Sequence, residues 1–464
     1  MGLSAYAAIA SGLFIALWKH PAVALAGVLC MFGLEQWGQA TTIFFIQHQT
    51  ATNLLIGGIL LLALMVQGAK KGVSIFAGYP AVGWIILMLF LYAFASAQWA
   101  PRPDISLKLW VSRWPYIVTI VLLSPLLITD TRDIRSAYKA TILVGGLLTI
   151  LLLFFVKWET RHIVLDHDMG NPLAISAMAG MVALIVILAD SWQESKSWFA
   201  LKWGLVALCL ALIVRSGSRG QLLGVLLVSV TCWPISRGLK NVKQFAVLSL
   251  LIVFLGAATS WTIHEFWSSE FPRERNRWSE QSAEQDVSGR LTNALSLMHL
   301  AADSPETLLF GLGNSASYDP RILGIYPHFV PLEILAEEGI IGAILFSLII
   351  FLTAKVAIRS YAAVRLLPSE RATLSALLGM FGFTLLLALK QGSMLGNLEP
   401  FMFAIIIARF EKFHMPAASP TQISTVGFAH SLKLEGLASS SGIDADGLSD
   451  SIPLHSRSRA KQWI

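Results

Sequence analysis

The chain is short of charge. Of its 464 residues only 13% are charged and 55% are hydrophobic, with a mean hydropathy of +0.66; a soluble domain carries about a quarter charged residues. That shortage excludes a soluble globular protein. Cysteine is also scarce: Cys30, Cys209 and Cys232 all fall in apolar segments with no CxxC pair, which excludes a disulfide framework and a cysteine metal site and leaves them as small hydrophobes. The first twenty residues lack a basic n-region and a small-residue cleavage site, so they are expected to form a retained first span rather than a signal peptide. No 20–50-residue repeat is visible. No ionisable residue lies deep inside an apolar segment, since Lys139, Glu333, Glu337, Glu338, Lys390 and Arg409 sit near segment ends; that argues against an ion-coupled transporter. The net charge of +6 is too small an excess to suggest nucleic acid.

What is present is a series of apolar runs of bilayer length. A helix needs about 20 apolar residues to cross the hydrocarbon, with every backbone polar group satisfied internally. Candidate segments lie near 3–17, 20–35, 53–69, 80–97, 113–129, 137–156, 171–189, 198–214, 219–235, 244–260, 332–354, 372–390 and 397–410. The expected fold is an all-α polytopic membrane bundle of about 12 (12–13) transmembrane helices with one long extracytoplasmic loop subdomain. Lys and Arg in short loops stay in the cytoplasm. One alternate set of loops holds fifteen basic residues against five acids, and the opposite short loops hold eight against six. This bias faces the second set outward, together with the 70-residue loop from Trp261 to Val330, which has five basic and nine acidic residues. Loops of that length are usually functional. The expected organisation is therefore transmembrane helices over 1–260, a long periplasmic loop over 261–330 and transmembrane helices over 331–410. A disordered cytoplasmic tail over 411–464, rich in Ser, Ala and Gly, follows. Ser288 is expected to cap a short helix ending near Asp303-Ser304-Pro305.

Four outward clusters carry the polar chemistry. Arg215 and Arg219 flank the tight turn Ser216-Gly217-Ser218 between two spans. Two guanidiniums on a turn with free backbone N–H groups suit a diphosphate, because arginine binds phosphate oxygens bidentately and stays charged. The plainer reading is snorkelling to lipid headgroups, at about even odds; breaking the positive-inside trend favours function. Arg290, in Ser288-Gly289-Arg290, and the Gly311-Leu312-Gly313 turn after Pro305 are each weak signals alone. His328, between Pro327 and Pro331 at the re-entry to the membrane, could take a proton from a sugar hydroxyl, as histidine side chains do near working pH; the plainer reading is an interfacial histidine bonded to a carbonyl. Glu333, Glu337 and Glu338 follow it, placed to orient His328 or to bind hydroxylated groups. His162, Asp166, His167 and Asp168 gather on another outer loop, but their spacing fits no zinc or calcium pattern, and Asn171-Pro172 reads as a helix start. No metal and no cofactor is expected. Outer tryptophans (Trp99, Trp110, Trp114, Trp261, Trp267, Trp278) suit either stacking on sugars or anchoring at the interface.

In order, Ser216-Gly217-Ser218-Arg219-Gly220 between two spans, the Ser288-Gly289-Arg290 helix start, the Pro305…Gly311-x-Gly313 turn and His328-x3-Leu332-x2-Leu335-x-Glu337-x-Gly339 resemble the O-antigen ligase and O-antigen polymerase superfamily, over about residues 165–345. The resemblance implies that Arg219 and Arg290 hold the diphosphate of an undecaprenyl-diphosphate-linked glycan, and that His328 acts on the acceptor hydroxyl. Arg215 joins the diphosphate set from its spacing alone. Glu337 matches the family's acidic position, in a catalytic or a structural role. Where the family often has Asn after the histidine, this chain has Phe329. The function so implied is a metal-independent, inverting glycosyltransferase. It would join O-antigen polysaccharide to the lipid A-core sugar on the periplasmic face of a bacterial inner membrane, among membrane lipids. Alternatives are repeat-unit polymerisation, transfer to protein, and, from other classes, a transporter or lipid-carrier flippase, or a scaffolding protein without chemistry.

Overall fold

The computed structural model describes residues 2–71, 79–159, 162–165, 170–189, 196–237 and 280–414, together with isolated positions 246, 250, 254 and 257. Those residues are almost wholly helical; the only strands among them are the two-residue β1 (Trp158–Glu159) and β2 (His162–Ile163), paired antiparallel. Helices α1 (Gly2–Lys19), α2 (Ala24–Leu29), α3 (Met31–Thr41), α4 (Ile43–Gln47), α5 (Ala51–Lys71), α6 (Ala81–Ser96), α7 (Pro103–Tyr116), α8 (Thr131–Phe154) and α9 (Pro172–Leu188) lead to α10 (Lys196–Arg215) and α11 (Arg219–Arg237). Further along the chain, α12 (Glu280–Ala301) and α13 (Pro305–Phe310) precede α14 (Val330–Glu337), α15 (Gly339–Val364), α16 (Pro368–Ala388) and α17 (Glu399–His414).

Among the described residues five helices are long and apolar enough to cross a membrane: α5, the stretch Pro103–Leu127, α8, α15 and α16. Helices α2 and α3 pass the same test jointly but bend by 62° at Cys30, and α1, α6 and α9 are shorter apolar helices. This is an all-α membrane protein, and the count of twelve or thirteen spans remains an expectation. Several boundaries differ from the sequence reading for local reasons. Pro115 lies inside α7 and is followed by a π-helical stretch, Ile117–Leu123, so the span starts ten residues earlier than expected and passes a widened turn. The expected span at 332–354 is two elements: the chain breaks at Glu338 and Gly339 (φ 66°), and the three glutamates belong to α14 or the break, ahead of the span. Ser288 does not cap a helix, because α12 begins at Glu280. Helix α17 runs to His414, four residues into the expected tail; the rest of the tail, and the candidate span at 244–260, lie outside the described residues apart from positions 246, 250, 254 and 257.

The bundle closes around α9, whose residues are nearly all buried. Membrane helices gain little from apolar burial against one another, so close approach depends on small residues. A Cβ on Gly180 would meet Phe383 of α16 at 2.5 Å and Val225 of α11 at 3.0 Å, and one on Gly145 of α8 would strike Val182. All three cysteines are free and buried.

One end of the bundle collects the basic short loops. Lys71 pairs with Asp130 and Asp133 (3.3 and 3.4 Å), Arg135 with Glu370 (2.6 Å), and Arg371 donates to the carbonyls of Ser236 (3.2 Å) and Arg365 (2.8 Å). Lys70 donates to the carbonyl of Lys19 (3.2 Å), and Arg409 to that of Ile128 (2.8 Å). Residues drawn from α1, α5, α8, α11, α16 and α17 therefore share one polar layer, as alternating loop charge requires of antiparallel spans.

Candidate functional site

The opposite end of the bundle is built from the Arg215 turn, the segment between α13 and α15, and the connection between α16 and α17. At the turn, Gly217 adopts φ 65°, and the Ser216 hydroxyl, fully buried, donates to the carbonyl of Ile213 (2.7 Å), so α10 stops and α11 starts within three residues. The Arg215 guanidinium lies over the Trp158 ring, 5.2 Å from its centroid, against the β1–β2 hairpin. Asn171 caps α9 by accepting from the N–H groups of Leu173 and Ala174 (3.0 and 3.3 Å), the helix start expected there. Lys390 reaches over Gly220, where a Cβ would displace its ammonium group. One residue on, the Gln221 amide donates to Gln391 (2.8 Å) and ties the start of α11 to the end of α16.

The segment Gly311–Ser317 is held by the glutamates. Both Glu337 carboxylate oxygens accept backbone N–H groups, from Ser315 at 2.6 Å and Ser317 at 2.9 Å, with Ser315 itself at φ 60°. Glu338 accepts from Ser96 of α6 (2.7 Å) and from the Asn314 amide (2.8 Å). Asn314 in turn accepts from Trp110 (3.0 Å) and its N–H donates to Ser96 (3.0 Å). The glycines of the Gly311-Leu312-Gly313 turn are required by space: a Cβ on Gly311 (φ 84°) would strike the Glu337 carbonyl, and one on Gly313 (φ 93°) would lie 2.5 Å from the Ala100 backbone. Burial pushes all three carboxyls above the usual carboxylate range, Glu337 to about 7 and Glu338 to about 8, and the neighbouring Glu337 raises Glu333 and Glu338 further. Glu333 accepts the Met394 N–H at 3.2 Å.

His328 sits at φ 63°, a left-handed conformation uncommon outside glycine, asparagine and aspartate, and its ring packs 4.3 Å from that of Tyr326. Strained backbone of this kind collects at functional sites. Tyr326 is also a wall of a cavity of about 350 Å³, whose other polar walls include Arg113, Tyr318, Gln391, Asn397 and Glu399. Two walls of this cavity touch the neighbourhood of the expected site residues: Tyr326, on which the His328 ring packs, and Gln391, which accepts from Gln221, two residues beyond Arg219. Arg215 stands beside Arg219 with its guanidinium on Trp158. Position 290 lies on α12 one turn before the buried Ala294; further along, Leu297 and Ala301 pack on Ala336 of α14, while the Arg290 side chain lies outside the described residues. Glu337 faces away from open space, its oxygens occupied by backbone donors.

Sequence reasoning missed Arg113, Lys390 and Glu399 at this end. Arg113 and Lys390 had been detectable by the same signal that singled out Arg215 and Arg219, basic residues in outward loops. Tyr326 carried no signal beyond its place next to Pro327.

The fold and the site define a multi-pass all-α membrane protein with a polar cavity opposite its basic end. Residues 204–347 match the family model described as O-Antigen ligase, so the superfamily resemblance is shown over that segment. It contains Arg215, Arg219, Arg290, His328 and Glu337, and ends before Gln391, Asn397 and Glu399. A comparison with curated proteins finds no match.

Proposed function

We propose that the protein is a glycosyltransferase that joins O-antigen polysaccharide from undecaprenyl diphosphate to the lipid A-core sugar, on the periplasmic face of a bacterial inner membrane. The observation that carries this reading is the left-handed His328 beside the polar cavity, within the segment that matches O-Antigen ligase. The bundle is taken as about 12 spans, oriented with its basic end in the cytoplasm.

Breaking a sugar–diphosphate bond moves charge onto the bridging oxygen. Arg215, Arg219 and Arg290 are assigned to that oxygen and its phosphates, since preorganised guanidiniums stabilise developing charge at low reorganisation cost. His328 accepts the proton of the acceptor hydroxyl as the oxygen attacks the anomeric carbon from the face opposite the diphosphate, which inverts the configuration. Glu337 is assigned a positioning role: with both oxygens on backbone N–H groups it holds the Gly311–Ser317 segment and, through α14, the approach to His328.

The test is a deletion strain read by lipopolysaccharide gel, with a purified-protein transfer assay beside it. Core alone, with polymeric O-antigen retained on the carrier, is the expected result. Core bearing a single unit would mean repeat-unit polymerisation, and unchanged lipopolysaccharide with loss of a protein-linked glycan would mean transfer to protein. Unchanged glycans of both kinds, with no transfer by the purified protein, would overturn the reading in favour of transport or scaffolding.

A further inference from the structure

Helix α13 is short and open. None of its six residues, Pro305–Phe310, is buried, and the last three, Leu308, Leu309 and Phe310, are 38%, 42% and 46% exposed. Large apolar side chains left open side by side mark an interaction surface. The backbone of the same helix is closed. Pro305 has no N–H, the Thr307 N–H donates to the Ser304 hydroxyl (3.1 Å) and the Leu308 N–H to the Ser304 carbonyl (2.9 Å). At the far end the Thr307 carbonyl accepts from the Gly311 N–H (2.8 Å) and the Phe310 carbonyl from the Tyr92 hydroxyl of α6 (3.0 Å). A helix whose terminal polar groups find partners inside the protein, while its apolar side chains stay open, is suited to an apolar medium rather than to water.

Its neighbours fix its depth. A Cβ on Gly339, the first residue of the span α15, would strike the Leu309 carbonyl, so α13 lies level with the point where α15 enters the bilayer. Tyr92 and Trp99, with rings 6.2 Å apart, mark that level at the end of α6, as interfacial aromatic residues do. Leu91 and Trp99 there, and Ile340 and Ile344 on α15, are exposed as well, so the apolar face of α13 adjoins elements that face lipid. We propose that α13 is a membrane-surface anchor: Leu308, Leu309 and Phe310 enter the leaflet at the cavity end, roughly 5–10 Å into the boundary between headgroups and acyl chains. A solvated helix would leave these three side chains in water, and a second protein would have to displace the lipid that the flanking spans require. Glu306, the single charge on the helix, stands on its first turn, at the end away from Tyr92. The anchor sets the depth of the Gly311–Ser317 segment, which starts at the next residue, and it rests on no particular reaction.

The test is electron paramagnetic resonance of the full-length protein in nanodiscs of phosphatidylethanolamine and phosphatidylglycerol. A nitroxide is placed on Leu309→Cys or Phe310→Cys, and its collisions with oxygen are compared with its collisions with a water-soluble nickel chelate. The native cysteines are buried and should take up little label. Ile344→Cys, exposed on α15, gives the hydrocarbon reference, and Arg365→Cys, exposed at the basic end, gives the aqueous one. Both α13 positions are expected to favour oxygen over nickel as Ile344→Cys does, at a depth of about 5–10 Å. Nickel access equal to that of Arg365→Cys means a solvated helix and overturns the proposal. Low access to both reagents means that protein covers the face, and overturns it equally. The two positions report on one face, so if one variant does not fold the other decides.

Discussion

His328 combines two properties that separate activity from stability. Its side chain has a proton-accepting ring, and its backbone occupies a conformation that asparagine also tolerates. His328→Asn is therefore expected to keep the melting temperature of the wild type while lowering glycan transfer by about 10²–10⁴-fold, the usual contribution of a general base. An equal fall in both would make the residue structural. Gly311 and Gly313 are the converse case. Each has a positive φ and closed space where a side chain would start, so Gly313→Ala is expected to destabilise the protein by about 1–3 kcal/mol, read as a lower melting temperature. Gly313→Asn should fare no better, because asparagine meets the torsion but not the contact with Ala100.

Helix α14 and the break after it show how an element can carry polar groups into an apolar bundle. Glu337 and Glu338 point to different partners, the first to backbone N–H groups and the second to Ser96 and Asn314, so together they fix the Gly311–Ser317 segment to α6 and α15. Glu338→Ala would leave the Asn314 amide buried without its acceptor, at about 1–3 kcal/mol, whereas Glu338→Gln retains an acceptor for Asn314 and loses the titrating proton, its NH2 being unable to accept from Ser96, whose hydroxyl keeps the Ala93 carbonyl (2.9 Å). The pH dependence has a definite sign. Burial raises the Glu338 carboxyl from 4.5 in the unfolded chain to about 8, so the native state binds the proton more tightly. Its contribution to stability is complete below pH 4.5 and is lost as pH rises through about 8. Thermal unfolding followed between pH 5 and pH 9 should show a falling melting temperature, with a shallower fall in Glu338→Gln. The sequence marked these carboxylates as anomalous but located them in the first turns of a span. Their partners are up to 242 residues away, which no local pattern reports. The start of α12 was equally hidden, since Glu280–Ala301 has a polar composition and Gly289 in its middle, and tertiary packing of Leu297 and Ala301 on Ala336 offsets that weak propensity.

At the scale of the molecule, the two ends of the bundle differ in charge and in chemistry. With the basic end in the cytoplasm, a cysteine introduced at Arg365 and one at Gly324 should react with a membrane-impermeant maleimide from opposite sides, Gly324→Cys from the periplasm alone. The native cysteines are all buried and should give little background. Labelling of both from one side would refute the orientation. Many apolar helices were legible because length and apolarity are local properties of the chain: α5, α6, α9, α10 and α16 lie within four residues of their expected limits at both ends, and of these α5 and α16 are long and apolar enough to cross a membrane. The sorting of basic loops was legible for the same reason, each loop reporting its own side.

The amino-acid sequence alone determined that this is a multi-pass all-α membrane protein, with a basic face and a few arginines set against it. Those properties follow from composition along one helix or one loop, measured against the hydrocarbon. Only the tertiary structure decided that Glu337 and Glu338 serve the Gly311–Ser317 segment, that α14 stands apart from its span, and that Tyr326 joins His328 to a cavity also walled by Arg113, Gln391 and Glu399. These are pairings across tens to hundreds of residues, fixed by how the helices pack and where the chain breaks, and a buried carboxylate or arginine takes its role from the donors and acceptors that packing brings to it.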